Sequence, residues 1–319
     1  MFTDGSSPTI VRCTFAQNDG GDGGGVNIEG ASPTFEDCTF SGNMPALGGG
    51  VWVAEPSQLT FTDCVFEDNS VGALGNVWGG GISAEAGATI TLEHCQFIQN
   101  GASSADEEGW GGAIYILGST LVARSCTFEG NQATRGGAIY VDGSADLTGC
   151  VLRENQARFG GALVAIAGAG PTLRECTLFD NGGSEGAGGI HVEPASGATL
   201  TQTIIAFGIE GEAIACTGGV TITCSDLFGN PGGDWVGCIA GQLGVSGNIA
   251  ADPLFCHTDV GDLTIADSSP CAPAQSACGL IGAFGAGCQV AVEPTSWGAI
   301  KAERSRPPSA GGAGSSRPP

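Results

Sequence analysis

The sequence predicts an all-β solenoid. One chain winds into a single-stranded right-handed parallel β-helix of about nine to ten coils, closed by a Cys-rich C-terminal cap. Three observations predict it. A motif recurs every 24 to 32 residues along the first two thirds of the chain. Within each copy, apolar residues alternate with the strand period of two rather than the helical 3.6. Helix caps and helical stripes are absent.

The motif is clearest in GGAIYILGSTLVARSCTFEGN, residues 111–131. The second glycine of its pair falls at 24, 49, 80, 112, 137, 161 and 188. Seven cysteines keep the same beat: Cys13, Cys38, Cys64, Cys95, Cys126, Cys150 and Cys176. Two residues later stand Phe15, Phe40, Phe66, Phe97, Phe128, Leu152 and Leu178. Five after each Cys stand Asn18, Asn43, Asn69, Asn100, Asn131, Asn155 and Asn181. An eighth copy survives as Leu200, Thr203 and Ile205, with Thr in the Cys place and Gly208 in the Asn place.

A unit of this size cannot enclose its own core, so it must stack on its neighbours. Parallel strands then pair like with like, at roughly 4.8 Å per coil. Val26, Ile28, Val51, Val53, Ile114, Ile116, Ile139 and Val141 are expected to face inward. Asn27, Trp52, Ser83, Tyr115, Tyr140, Val164 and His191, between them, are expected to face out. The Asn ladder reads as architecture, because its amide can satisfy turn backbone and the Asn of the next coil. The Cys ladder reads as reduced core packing, since thiols in register point the same way and suit a disulfide poorly.

The third and fourth copies are longer. Their extra residues, 70–77 and 101–109, should stand side by side as two loops. Residues 1–208 read as the regular coils. They open inside a repeat, which predicts that an earlier segment, and any export signal with it, is missing. Residues 209–289 read as irregular last coils and a disulfide-rich cap. Residues 290–319, rich in Pro, Gly and Ser, read as a disordered tail. The closing third holds seven cysteines, and its Gly- and Pro-rich chain is where staples help most. The pairings expected first are Cys216–Cys224, Cys238–Cys256 and Cys271–Cys278. Spacing cannot fix connectivity, and with Cys288 the number is odd, so one thiol should stay free. Disulfides would imply an oxidising compartment.

Composition narrows the function. The formal net charge is −23 and the pI about 4.1. That argues against nucleic acid and anionic membrane surfaces as partners, since both need basic patches. No apolar run is long enough for a transmembrane helix.

The Gly-Gly-Ala-Ile stretches at 111–114 and 136–139, alternating with Phe-x-x-Asn, resemble the repeats of the polymorphic outer-membrane proteins. More widely, they resemble the pectin-lyase-like β-helices. The resemblance covers residues 7–210. It implies the fold and a surface-exposed or secreted, in some cases adhesive, protein. It implies no particular activity.

Which residues could do chemistry is a narrower question. The residue before each Gly-Gly gives Leu47, Trp78, Trp110, Arg135 and Phe159, which register should line up. Arg135 would then lie between Trp110 and Phe159, in reach of a cation–π contact. The loop ahead of Trp110 adds Asp106, Glu107 and Glu108. Aromatic rows beside carboxylates suit sugars: a flat apolar face for the ring, acids for the hydroxyls. Trp52, Tyr115 and Tyr140 offer a second aromatic face. The bland alternatives are indoles that shield their own loops and tyrosines that stabilise a sheet. Glu29, Glu85, Asp142 and Glu193 occupy matching places and could hold Ca²⁺, but alternate coils carry apolar residues there, so no cofactor is expected.

For an enzyme, the pattern is thin. Paired aspartates are absent, and His94, His191 and His257 are scattered. Of the six arginines of the body, several have acidic neighbours one coil away (Arg12 with Asp37, Arg124 with Glu93, Arg153 with Glu129), which reads as surface ion pairs. The expectation is a secreted or cell-surface binding or structural module, its partner a polysaccharide or surface glycan. The alternative is a β-helix lyase or glycoside hydrolase with its site on the two long loops.

Overall fold

The computed structural model describes residues 2–20, 23–45, 48–72, 76–85, 87–103 and 108–288. Leu47, Asp106, Glu107 and the tail 290–319 lie outside the described residues. Among the described residues nine short strands, one per coil from Thr14–Ala16 to Asp226–Phe228, stack into one parallel sheet. A twenty-stranded parallel sheet forms the rest of the wall. Parallel crossovers of this kind are right-handed. Among the described residues the one antiparallel pair is the cap hairpin, Phe255–His257 with Asp262–Ile265. No helix there is long and apolar enough to cross a membrane.

Register is in step, as expected: Phe15 pairs with Phe40, Phe66 with Phe97, and Phe97 with Phe128. These rings stack with centroids 4.5 to 5.0 Å apart. Val26, Ile28, Ile114, Ile116, Ile139 and Val141 are fully buried in the bore. The Asn ladder is continuous and buried from Asn43 onward. Asn131 Nδ2 donates to Phe97 O and to Asn155 Oδ1, while Asn131 Oδ1 accepts from Asn100.

The cysteines do more than pack. Cys176 Sγ donates to Arg174 O at 3.3 Å and to Leu147 O at 3.5 Å, tying its corner to the coil before. Thr203 Oγ1 makes the same two bonds, to Thr201 O and Leu173 O. In the ninth coil Ser225 donates to Thr223 O. A hydroxyl therefore substitutes for the thiol without breaking the pattern. Hydrogen bonding within the thiol column, with burial, pushes Cys95 and Cys126 up to about 12. All seven ladder cysteines are free thiols, and all but Cys13 are buried. Cys13 stands in the first described coil, with Cys38 beside it on one side.

Two devices turn the chain. The residue before each ladder position sits in the left-handed region: Arg12, Asp37, Asp63, His94, Ser125, Glu175, Gln202 and Cys224 have φ between 50° and 54°. The second device is the Gly-Gly pair. Its first glycine has φ of +59° to +67° at Gly79, Gly111, Gly136 and Gly160. A Cβ on its second glycine would collide with the next coil: Gly80 with Gly112 O, Gly112 with Gly137 O.

The two long loops do stand side by side. Ser70–Val71 pairs with Gly101–Ala102, and Val77–Trp78 with Gly109–Trp110. Of the expected ion pairs, Arg153–Glu129 forms at 2.7 Å. Glu93 stands across from Arg124 in the register, but no ion pair joins them, nor Arg12 to Asp37.

The disulfide pairings differ from the expected ones. They are Cys216–Cys238, Cys224–Cys278 and Cys256–Cys288, with Cα separations of 5.9, 5.6 and 5.3 Å. The reason is topological. Cys216 and Cys224 lie in one coil with the strand Gly219–Thr223 between them, so they cannot meet. Each bond instead joins parts of the chain 22 to 54 residues apart. Cys271, expected in a bond, is the free thiol; it donates to Asp226 Oδ2 at 3.2 Å.

Candidate functional site

The row before the Gly-Gly turns is real. Trp78 pairs with Trp110, which bridges to Arg135, which bridges to Phe159. The row after the turns runs Trp52, Ser83, Tyr115, Tyr140, Val164 and His191 in unbroken register. The turn folds the first row over the second with an offset of one coil. Trp78 lies against Tyr115 at 6.2 Å, Trp110 against Tyr140 at 6.3 Å, and Phe159 against His191 at 5.5 Å. Along the rows the indoles stack at 6.0 Å and the phenols at 5.4 Å.

This corrects the outward-face expectation. Tyr115 and Tyr140 point away from the bore, yet each is 7% exposed. Strand alternation says which side of a wall a residue takes, and nothing about what then covers it. With Val164, Trp78, Trp110 and Ile166 they form a second apolar cluster on the outside of the solenoid. The half-buried indoles are its surface. Neither phenol hydroxyl has a hydrogen-bond partner among the described residues. Burial, more than any neighbour, raises both tyrosines above their ordinary range. Trp52 does not join the cluster, because Ser83 stands between it and Tyr115.

Charge rims the patch. Arg135 pairs with Glu193 and, at 3.9 Å, with Glu108. Its guanidinium stands 5.4 Å over Phe159, with Arg158 on the same ring at 5.2 Å. The expected cation–π contact is therefore made with Phe159. Glu85 and Asp142 lie close enough to raise Tyr115 further, and burial raises Glu85 itself. His191 is lowered by burial and then by Arg135. Glu193, one of the four carboxylates expected at matching places, is taken up by Arg135. No group of three metal-ligating side chains exists among the described residues. Among the described residues the unpartnered buried side-chain atoms are Asn27 Oδ1, Trp52 Nε1, Ser83 Oγ, His191 Nδ1 and Arg135 Nε, all but the last on the row after the turns.

Sequence reasoning missed a groove beside this patch, of about 760 Å³. Gln132, Thr134, Gln156, Arg158, Ser184 and Glu210 line it, with Ile209, 52% exposed, at its edge. It runs across successive coils with Arg158 as its wall toward Phe159. The signal was the Gln directly after the ladder Asn, at 131–132 and again at 155–156.

The profile of the family described as "Right handed beta helix region" matches residues 1–121 and 107–250. Neither the curated proteins nor the solved structures yield a match.

Proposed function

The chain belongs to the right-handed β-helix family, and from that premise we propose that it is an extracellular or cell-surface module that binds a neutral polysaccharide or surface glycan. The observation that carries this reading is the aromatic cluster outside the core. An interior packing need does not account for it, because the bore is already filled. Stacked indoles offer a flat apolar surface, and Glu108, Glu85 and Asp142 offer acceptors for hydroxyls. The adjoining groove extends the polar contact with Gln132 and Thr134 in one coil and Gln156 in the next, the two glutamines paired in register. Repeating donors and acceptors match a repeating polymer. A net charge of −23 disfavours a polyanionic one. Three disulfides support an oxidising compartment. No cofactor is needed for this role.

The test is a glycan array paired with a polysaccharide-cleavage screen. Each is run on the wild type and on the Trp78→Ala/Trp110→Ala double variant, with thermal melting to confirm that the variant folds. The wild type should bind a neutral glycan, and the variant should lose at least about tenfold in affinity, the equivalent of about 1.4 kcal/mol. Unchanged binding by a folded variant sinks the aromatic-row reading. Release of products from any polysaccharide replaces the binding role with a catalytic one.

A further inference from the structure

A hollow of about 450 Å³ on the last coils belongs to neither the aromatic patch nor the groove. Phe179, Phe207 and Phe255 wall it, with Leu254, Asp252 and Thr258 around them. The rings meet edge to face, Phe179 with Phe255 at 5.5 Å and Phe207 at 6.1 Å, and Phe207 with Phe255 at 6.3 Å.

Three separate elements supply the rings. Phe179 continues an outward row that reads Ile98, Glu129, Arg153 in the preceding coils, so the row turns from charged to aromatic here. Phe207 occupies a left-handed corner, φ 54°, where other coils carry Gln17, Asp68, Gln99, Glu154 and Asp180. A bulky side chain is uncommon in that conformation. Phe255 comes from the cap hairpin.

One fixed carboxylate faces this aromatic corner. Asp252 is exposed, and its Oδ1 accepts from Leu254 N–H at 2.9 Å, which sets the orientation of the group and leaves Oδ2 without a partner among the described residues. The adjacent cation, Arg153, is tied to Glu129 at 2.7 Å and packs near the Gly261 turn. Phe159 carries two guanidiniums, whereas among the described residues no cation stands over these three rings.

We propose that this pocket binds an alkylammonium or quaternary ammonium group. Aromatic faces attract such cations through their quadrupole, and a single carboxylate supplies the counter-charge. A neutral apolar ligand would leave Asp252 unused, and an anion would be repelled by it. The acidic molecule as a whole concentrates cations at its surface. The ammonium is that of a free small molecule or of a choline lipid headgroup; the recognising chemistry is shared.

Titration calorimetry on the full chain tests it. Choline is compared with its uncharged tert-butyl isostere, then with phosphatidylcholine vesicles. At least one cationic ligand should bind saturably, and the tightest arm identifies the source. The isostere should bind about tenfold more weakly than choline, and Asp252→Asn and Phe207→Leu should each cost roughly threefold to tenfold. Asp252→Asn keeps the acceptor that Leu254 uses, so its fold is preserved. Equal binding of the isostere, no saturation by any cationic ligand, or full affinity in folded Asp252→Asn overturns the proposal. None of these readouts depends on the glycan site.

Discussion

Asn131 makes four ladder contacts while fully buried, so its truncation orphans groups on both neighbouring coils. Asn131→Ala should cost about 3 kcal/mol, as two or more buried polar groups lose their partners. Urea denaturation checks it; a cost below about 1 kcal/mol would remove the ladder's structural role. Asp226 is the residue whose effect depends on pH. It is fully buried, accepting from Ala251 N and Cys271 Sγ, and burial raises its carboxyl from 3.8 to about 7. A raised acid favours the protonated folded state. Its stabilisation is therefore present below about pH 4 and lost as the pH rises to about 7, an effect of order 4 kcal/mol at most. Asp226→Asn should flatten the stability profile between those pH values and raise Tm at pH 8. An unchanged profile would show that another group titrates there. The ladder was legible because identity repeats at fixed spacing. Asp226 was not, because its burial depends on cap residues far away in sequence.

At the scale of the element, the Gly-Gly turn sets the contour of the coil. Gly112→Ala places a methyl against Gly137 O, with backbone on either side, and should cost about 2 to 4 kcal/mol. Thermal melting would reveal it, and a neutral substitution would mean that adjacent coils can part there. The cap elements give a graded prediction. Removing Cys224–Cys278, 54 residues apart, should cost about 4 kcal/mol, against about 3 for Cys216–Cys238, 22 apart. Paired Cys→Ser variants under denaturant give the order, and a reversed order would point to native-state packing rather than loop closure. The two aromatic rows were each legible from position, but their overlap was not. Sequence fixes alternation within a strand, whereas the one-coil offset that places Trp78 on Tyr115 and Trp110 on Tyr140 arises from the turn between them. For the same reason the disulfide partners could not be read: bonds between layers ignore proximity along the chain.

At the scale of the molecule, stability is a sum of contacts between adjacent coils. The bore repeats with little variation, and the candidate surfaces lie outside it. The aromatic patch begins at the long loops, the groove crosses the Asn-Gln rungs, and the Phe pocket forms where the coils meet the cap. The regular part and the aromatic rows were legible because they follow the repeat, whereas the groove and the Phe pocket were not, because each forms once from residues outside it.

Like-on-like pairing also creates a hazard during folding. A chain wound one coil out of step would still set Phe on Phe, Cys on Cys and Asn on Asn, so the ladders cannot tell correct alignment from slippage. The irregular rungs can. Thr203 and Ser225 in the thiol column, and the two adjacent oversized loops, fit in one alignment alone. Like index marks on a ruled tape, they count the turns for a chain whose other rungs are interchangeable.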